Sequence, residues 1–207
     1  MKKRSRHTHR VAIADKSRAW LQAAGNWRVL SLLFQNPSRE ARRELNRLIR
    51  EASKKLAPLA REWAEVPQRE AEEHFQFIFG PGGIPAVESS YDPNALAGRG
   101  PLLADIAGFH EAFAYRPARP PAEVPDHIAV ELDFLSYLAF KTAFALHAKQ
   151  KKQGDIAARA YARFLQDHLH TWLSAFRERL NNSASPYYAR AALAVDEMAK
   201  ASAPRAA

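Results

Sequence analysis

The chain contains no cysteine, which removes disulfides, thiolate metal sites and cysteine nucleophiles and leaves a reducing compartment permitted but not required. It also lacks any apolar run approaching the ~18 residues that cross a bilayer. Behind the basic N-terminus the apolar stretch is only Val11-Ala12-Ile13-Ala14 before Asp15 and Lys16, too short for the core of a secretion signal. No stable membrane insertion is therefore expected, and the protein should stay where it is made. Alternating strand patterns, hairpin turn signals and internal repeats are missing. So are a Gly-x-x-x-x-Gly-Lys phosphate loop, a Gly-x-Ser-x-Gly elbow and a His-Glu-x-x-His metal helix. These absences point away from an enzyme, and no cofactor or metal is expected. His168 and His170 are two apart, on different faces of a helix, and His7 and His9 have no carboxylates beside them; solvated or capping roles suit them better than metal ligation.

What is present is ordinary globular composition. Of 207 residues, 47% are hydrophobic and 26% charged, enough for one buried core. The net charge of +9 is concentrated at one end: residues 1–18 carry seven Lys or Arg against one Asp, leaving the rest nearly balanced. That basic stretch has no aromatics, and the aromatics elsewhere fall on core stripes, so a nucleic-acid partner is disfavoured. A basic helical binder of nucleic acid or anionic surfaces, acting through Met1 to Arg18, is the alternative from a different class of function. The expected organisation is a disordered basic tail over 1–16, a helical domain over 17–201 and a short tail over 202–207.

The periodicity predicts an all-α, single-domain bundle of about seven to ten helices with long Pro/Gly-rich loops. Trp20, Leu21, Ala24, Trp27, Leu30, Leu33 and Phe34 form one buried face, ended by Asn36-Pro37. Ser38 caps a second helix with apolar positions from Ala41 to Leu56, closed or kinked by Pro58. A third runs from about Pro67 through Phe75 and Ile78 to Gly80. Helicity resumes at Pro101, and after a Pro-rich loop over 117–121 the longest helix runs from Pro125 to about Gln150. That helix is apolar around much of its girth, with Phe134, Tyr137, Phe140 and Phe144 beside the main stripe, and belongs at the centre. Gly154 breaks the chain, Asp155 caps the next helix, which runs to Leu180, and a last helix starts near Pro186.

Two places invite a functional reading. The segment from Gly80 to Gly100 is too rich in breakers for helix or central strand, and loops of that length inside a compact domain tend to be functional. The other is Val124-Pro125-Asp126-His127 at the start of the central helix. A first-turn carboxylate on Asp126 suits the helix dipole, and His127 and Glu131, one turn apart, are placed to pair; both are also ordinary structural features.

Glu88-Ser-Ser-Tyr91 after a Gly-Pro-Gly loop, Pro125-Asp126-His127-Ile128-x-x-Glu131-Leu132-x-Phe134-Leu135, and Phe164-Leu-x-x-His168-Leu169-x-x-Trp172-x-x-x-Phe176 together resemble the TorD/DmsD family of redox-enzyme maturation chaperones. Order and spacing agree over about residues 19–200; Ser174 stands where that family often has Pro, and the basic N-terminal stretch lies outside the resemblance. The resemblance implies an all-helical fold. It also implies a cytoplasmic chaperone whose partner is the twin-arginine signal peptide, or the catalytic subunit, of a molybdoenzyme of the DMSO-reductase type, held until its cofactor is inserted. The nitrate-reductase branch, binding a non-exported catalytic subunit, is the alternative within the superfamily, and a monomer or a segment-exchanged dimer fits either.

A peptide with an arginine pair and an apolar stretch asks for carboxylates and an apolar groove. On this basis Asp126 is expected to receive a client arginine, with His127 positioned by Glu131 and Pro125 fixing the turn. Glu88, Tyr91 and Asp92 are expected at the rim, and Phe79, Ile84 and Pro85 against the apolar part.

Overall fold

The computed structural model describes residues 2–92, 98–117 and 124–201, with the side chains of the first helix described from Asp15 onward. Nine α-helices are named along these residues: α1 (Lys2–Leu33), α2 (Arg39–Leu48), α3 (Leu56–Glu65), α4 (Gln68–Phe79), α5 (Gly100–Ala112), α6 (Ile128–His147), α7 (Lys151–Phe164), α8 (His170–Asn181) and α9 (Pro186–Lys200). A π-turn over Leu165–Leu169 joins α7 to α8 without a break, and a 3-10 turn over Glu88–Ser90 interrupts the loop after α4. The expected all-helical bundle is what the chain forms.

Helix α6 is the axis. Its Leu132, Phe134, Leu135, Leu138 and Ala139 are fully buried, and α1 lies antiparallel along it. Three hydroxyls fix that pairing: Ser17 donates to Ala143 O at 2.9 Å, Ser136 to Ala24 O at 2.8 Å and Ser31 to Ala129 O at 2.8 Å. The three contacts recur every seven residues on both helices, the repeat of a coiled-coil seam, and small residues there let the backbones approach. Trp20 and Trp27 of α1 are buried against α7, where Trp27 Nε1 donates to Tyr161 Oη at 2.7 Å.

Several boundaries differ from the sequence expectation. Helix α1 begins at Lys2, reaching back through the segment read as a tail, which contains neither Gly nor Pro to stop it. The helix capped by Ser38 ends at Leu48; Pro58 does not close it but stands in the first turn of α3, where its missing N–H costs nothing. Gly154 breaks nothing: it is buried inside α7, where an added Cβ would stand 3.6 Å from that of Ala145, so the glycine permits close packing on α6, and Asp155 is not the cap. Phe140 and Phe144 are 50% and 59% exposed, on the side of α6 turned away from the core. The Pro-rich segment 118–121 and residues 202–207 lie outside the described residues.

Candidate functional site

The loop after α4 is pinned to the start of α6 by main-chain bonds. Glu88 N donates to Asp126 O at 2.9 Å and Ile128 N to Ala86 O at 2.8 Å, making a single antiparallel bridge between Val87 and His127. The turn that delivers this loop requires a glycine: Ile84 N closes on Ile78 O at 2.7 Å, and a Cβ on Gly83 would stand 2.3 Å from that same oxygen.

Around the bridge lie five buried ionisable side chains, Glu88, Asp126, His127, Glu131 and His168. Asp126 Oδ2 accepts from Ser89 N at 3.2 Å, and Arg99 Nη2 stands 3.3 Å from both of its carboxylate oxygens. Glu88 bridges two neighbours on the π-turn and α8, His168 Nδ1 at 3.1 Å and Thr171 Oγ1 at 3.2 Å. On its other side His168 Nε2 lies 3.3 Å from Asp105 Oδ2 of α5. Glu131 Oε2 accepts from Trp172 Nε1 at 3.2 Å. Burial, then the nearby charge of Glu88, holds the Glu131 carboxyl well above the ordinary range, which favours its neutral form. His127 is the N-cap of α6: its Nδ1 accepts from Ala129 N at 3.2 Å, which requires an unprotonated Nδ1. Burial pushes its pKa down to about 4.

The motif residues therefore come together, but not as the sequence suggests. Asp126 precedes the helix instead of sitting in its first turn, because His127 takes the cap. His127 and Glu131 point to different partners, Ala129 N and Trp172 Nε1, since an N-cap side chain folds back on its own helix while Glu131 reaches across to α8. Glu88, expected at the rim, is buried and bound to His168. His168, expected to be solvated, is 1% exposed; the π-turn widens the helix there, and such turns often mark functional sites.

Tyr91 is half-buried, its ring tilted against Trp172 at 5.3 Å between centroids and its hydroxyl donating to Pro85 O at 2.8 Å. Burial raises its phenol to about 12. Asp92, Ile84 and Pro85 are half-buried along the same loop, and Pro125 is exposed. Phe79 packs inward on Phe34, Phe176 and Tyr188, so it belongs more to the core than to a groove wall.

Sequence reasoning missed two features. Arg99, 53% exposed, carries no motif beyond being a cation between two glycines. A cavity of about 420 Å³ between α1, α6 and the chain after α5 is lined by Leu21, Arg28, Tyr115, Asp133 and Phe140, among others, and by none of the predicted site residues. Within it Asp133 accepts from Arg28 at 2.8 Å and from Tyr115 at 2.7 Å.

The family model described as nitrate reductase delta subunit matches residues 35–178, the stretch that contains every element of this cluster. The chain belongs to that family. Similar to it are the selenate reductase assembly chaperone of Thauera selenatis, 31% identical over 56% of this chain and 60% of that protein, and the chlorate reductase assembly chaperone of Ideonella dechloratans, 30% identical over 53% and 57%. A TorD chaperone of Vibrio cholerae is 42% identical over 28% of this chain and 24% of that one. The matches thus span less than two thirds of these family relatives' own length. Among solved structures, a redox enzyme maturation protein of Archaeoglobus fulgidus shares the fold, with a TM-score of 0.55 at 18% identity over 84% of this chain and 91% of that one.

Proposed function

We propose that this protein is a maturation chaperone for a molybdenum-containing reductase, and not itself a catalyst. It acts in the cytoplasm on an arginine-bearing segment of its client, the twin-arginine signal peptide. Membership of the nitrate reductase delta subunit family supports this, as do relatives named as assembly chaperones for selenate and chlorate reductases and as TorD. None of them is named as a catalyst. No described helix is long and apolar enough to cross a membrane, in keeping with action on a client before it is exported.

The observation that carries the reading is the anchored acidic cluster at the start of α6. Glu88, Glu131, His127 and His168 are buried and act as a frame, while Asp126 is the member reached by a guanidinium from the surface side. Asp126 therefore receives the client arginine, His127 and Pro125 set the angle of the segment that carries it, and Asp92, Tyr91, Ile84 and Pro85 form the adjoining wall. A second reading, favoured by the family description itself, is that the client site is on a non-exported catalytic subunit of nitrate-reductase type.

Calorimetric titration with arginine-pair signal peptides and their Lys-Lys counterparts separates the two. Saturable binding that is lost with Lys-Lys and weakened about tenfold or more by Asp126→Asn supports the first, since a charged hydrogen-bonded pair is worth about 1.5–3 kcal/mol. Absence of peptide binding together with capture of the whole catalytic subunit moves the assignment to the second.

A further inference from the structure

Asp126 has no exposed side-chain area, yet the Arg99 side chain against it is 53% exposed. Among the described residues, the Arg99 guanidinium is the group that links this carboxylate to the surface. The contact is loose: Nη2 alone serves both oxygens, at 3.3 Å each. Charge-assisted N–H···O bonds close to about 2.7–2.9 Å, and a carboxylate's best arginine partner presents two nitrogens as a fork. Arg99 supplies one prong at stretched distance.

Helix stability does not explain the cation either. Arg99 is the residue from which α5 starts, with φ −74° and ψ −13°, and a positive charge at a helix N-terminus opposes the helix dipole. Nor can Asp126 be left bare, because a buried unpaired carboxylate is strongly unfavourable. Its backbone partner, Ser89 N, satisfies one oxygen without supplying charge. A cation held poorly, in a place that does not favour it, against a carboxylate that must have one, is suited to exchange.

We propose that Arg99 is a resident competitor for the client's arginine: it occupies Asp126 in the free protein and gives way when a client guanidinium arrives able to use both nitrogens. This rests on the client reading above and adds to it the residue that sets affinity and discrimination. The apparent affinity is lowered by the fraction of molecules in which Arg99 holds the carboxylate. A client lysine, a point charge with no fork, offers Asp126 no improvement over Arg99 and fails to displace it. The site thus rejects single-point cations without a clash against them.

The test is titration of the full-length chain with one synthetic arginine-pair peptide carrying an apolar stretch, and its Lys-Lys counterpart, against the parent, Arg99→Ala, Asp126→Asn and the double variant. Thermal melts confirm that each variant is folded. Arg99→Ala is expected to bind the arginine peptide about fivefold more tightly, the upper range for a partly exposed ion pair, and to narrow the preference over Lys-Lys. In the Asp126→Asn background the same change is expected to have no effect, because the competitor acts only through that carboxylate. Arg99→Gln, which retains length and a donor but no charge, is the second variant should Arg99→Ala fail to fold, and the same gain is expected. Unchanged or weaker binding by the folded Arg99 variant, with Asp126→Asn still losing affinity, overturns the competitor and leaves the client reading in place. A gain that persists without the Asp126 carboxylate also overturns it. Failure of every variant, parent included, to bind the peptide overturns both.

Discussion

Glutamine in place of Glu131 tests whether the carboxyl at the centre of the bundle is neutral. Glu131 is wholly buried, and burial followed by the charge of Glu88 raises its pKa well above 4.5. In the unfolded chain the same carboxyl ionises through about 4.3. Its folded pKa being the higher, the stability tied to this proton is complete below the unfolded value and is lost as pH rises toward the folded one. The loss is up to about 1.4 kcal/mol per pH unit. Glutamine does not ionise, has nearly the same volume, and keeps a carbonyl for Trp172 Nε1, the 3.2 Å partner of Glu131. The difference in unfolding free energy, Glu131→Gln minus parent, should therefore be small near pH 4.5 and grow in the variant's favour through neutrality by up to about 1.4 kcal/mol per unit. Urea unfolding at half-unit steps from about pH 4.5 to 8 reads it, provided m stays constant. Titrations common to both proteins, that of His127 included, cancel in the difference. A flat difference across about pH 5 to 8 would mean that Glu131 is ionised in the fold, and the reasoning would be wrong.

Acid should act through His127, whose pKa is lowered to about 4 from the usual 6.5. The stability tied to its neutral form is present above about 6.5 and lost as pH falls toward 4, about 3 kcal/mol in all. His127→Asn preserves a polar cap and should flatten that acid limb; an unaltered limb in urea unfolding counts against the assignment. Gly83→Ala forces a Cβ against Ile78 O and should cost about 1–3 kcal/mol, with hydrogen exchange faster in 84–92 than elsewhere; a uniform change would point to another cause. Tyr161→Phe leaves Trp27 Nε1 without the hydroxyl it now meets at 2.7 Å, for a loss of about 1–3 kcal/mol. A loss below about 0.5 kcal/mol would show that the indole finds another acceptor.

The parts of the fold that could be read in the sequence are those written in local periodicity. The stripe from Trp20 to Phe34, the start of α9 at Pro186 and the stop of α4 at Gly80 all follow from spacing and capping, and the structure has them, except that Leu21 lies at the edge of the stripe and is 52% exposed. Helix α3 was hidden because a proline reads as a terminator when counted from the preceding helix and as a first-turn residue when counted from the next. Gly154 misled because its reason is tertiary, the approach of α7 to Ala145 and Leu146. The candidate site divides in the same way. Pro125-Asp126-His127 stands out as a motif, but Glu88 meets His168 across 80 residues and Glu131 meets Trp172 across 41, contacts no local pattern announces. Local spacing pairs His127 with Glu131, but His127 is taken by the cap of its own helix and Glu131 by Trp172 across 41 residues. Arg99 had no signal of its own, since a lone arginine after a glycine reads as surface.

The heptad-spaced serines between α1 and α6 bear on how the molecule can move. Sliding one helix past the other by a turn would strip Ser17, Ser31 and Ser136 of their carbonyl acceptors at the same moment, so the pair behaves as a ratchet held in a single notch. The exchange proposed for Arg99 calls for movement on the opposite flank, where α5 meets the start of α6 and the π-turn through side chains such as Arg99 and Asp105. The bundle is in this sense a rigid anvil with one adjustable jaw, and the jaw carries the cation that the proposed client would replace.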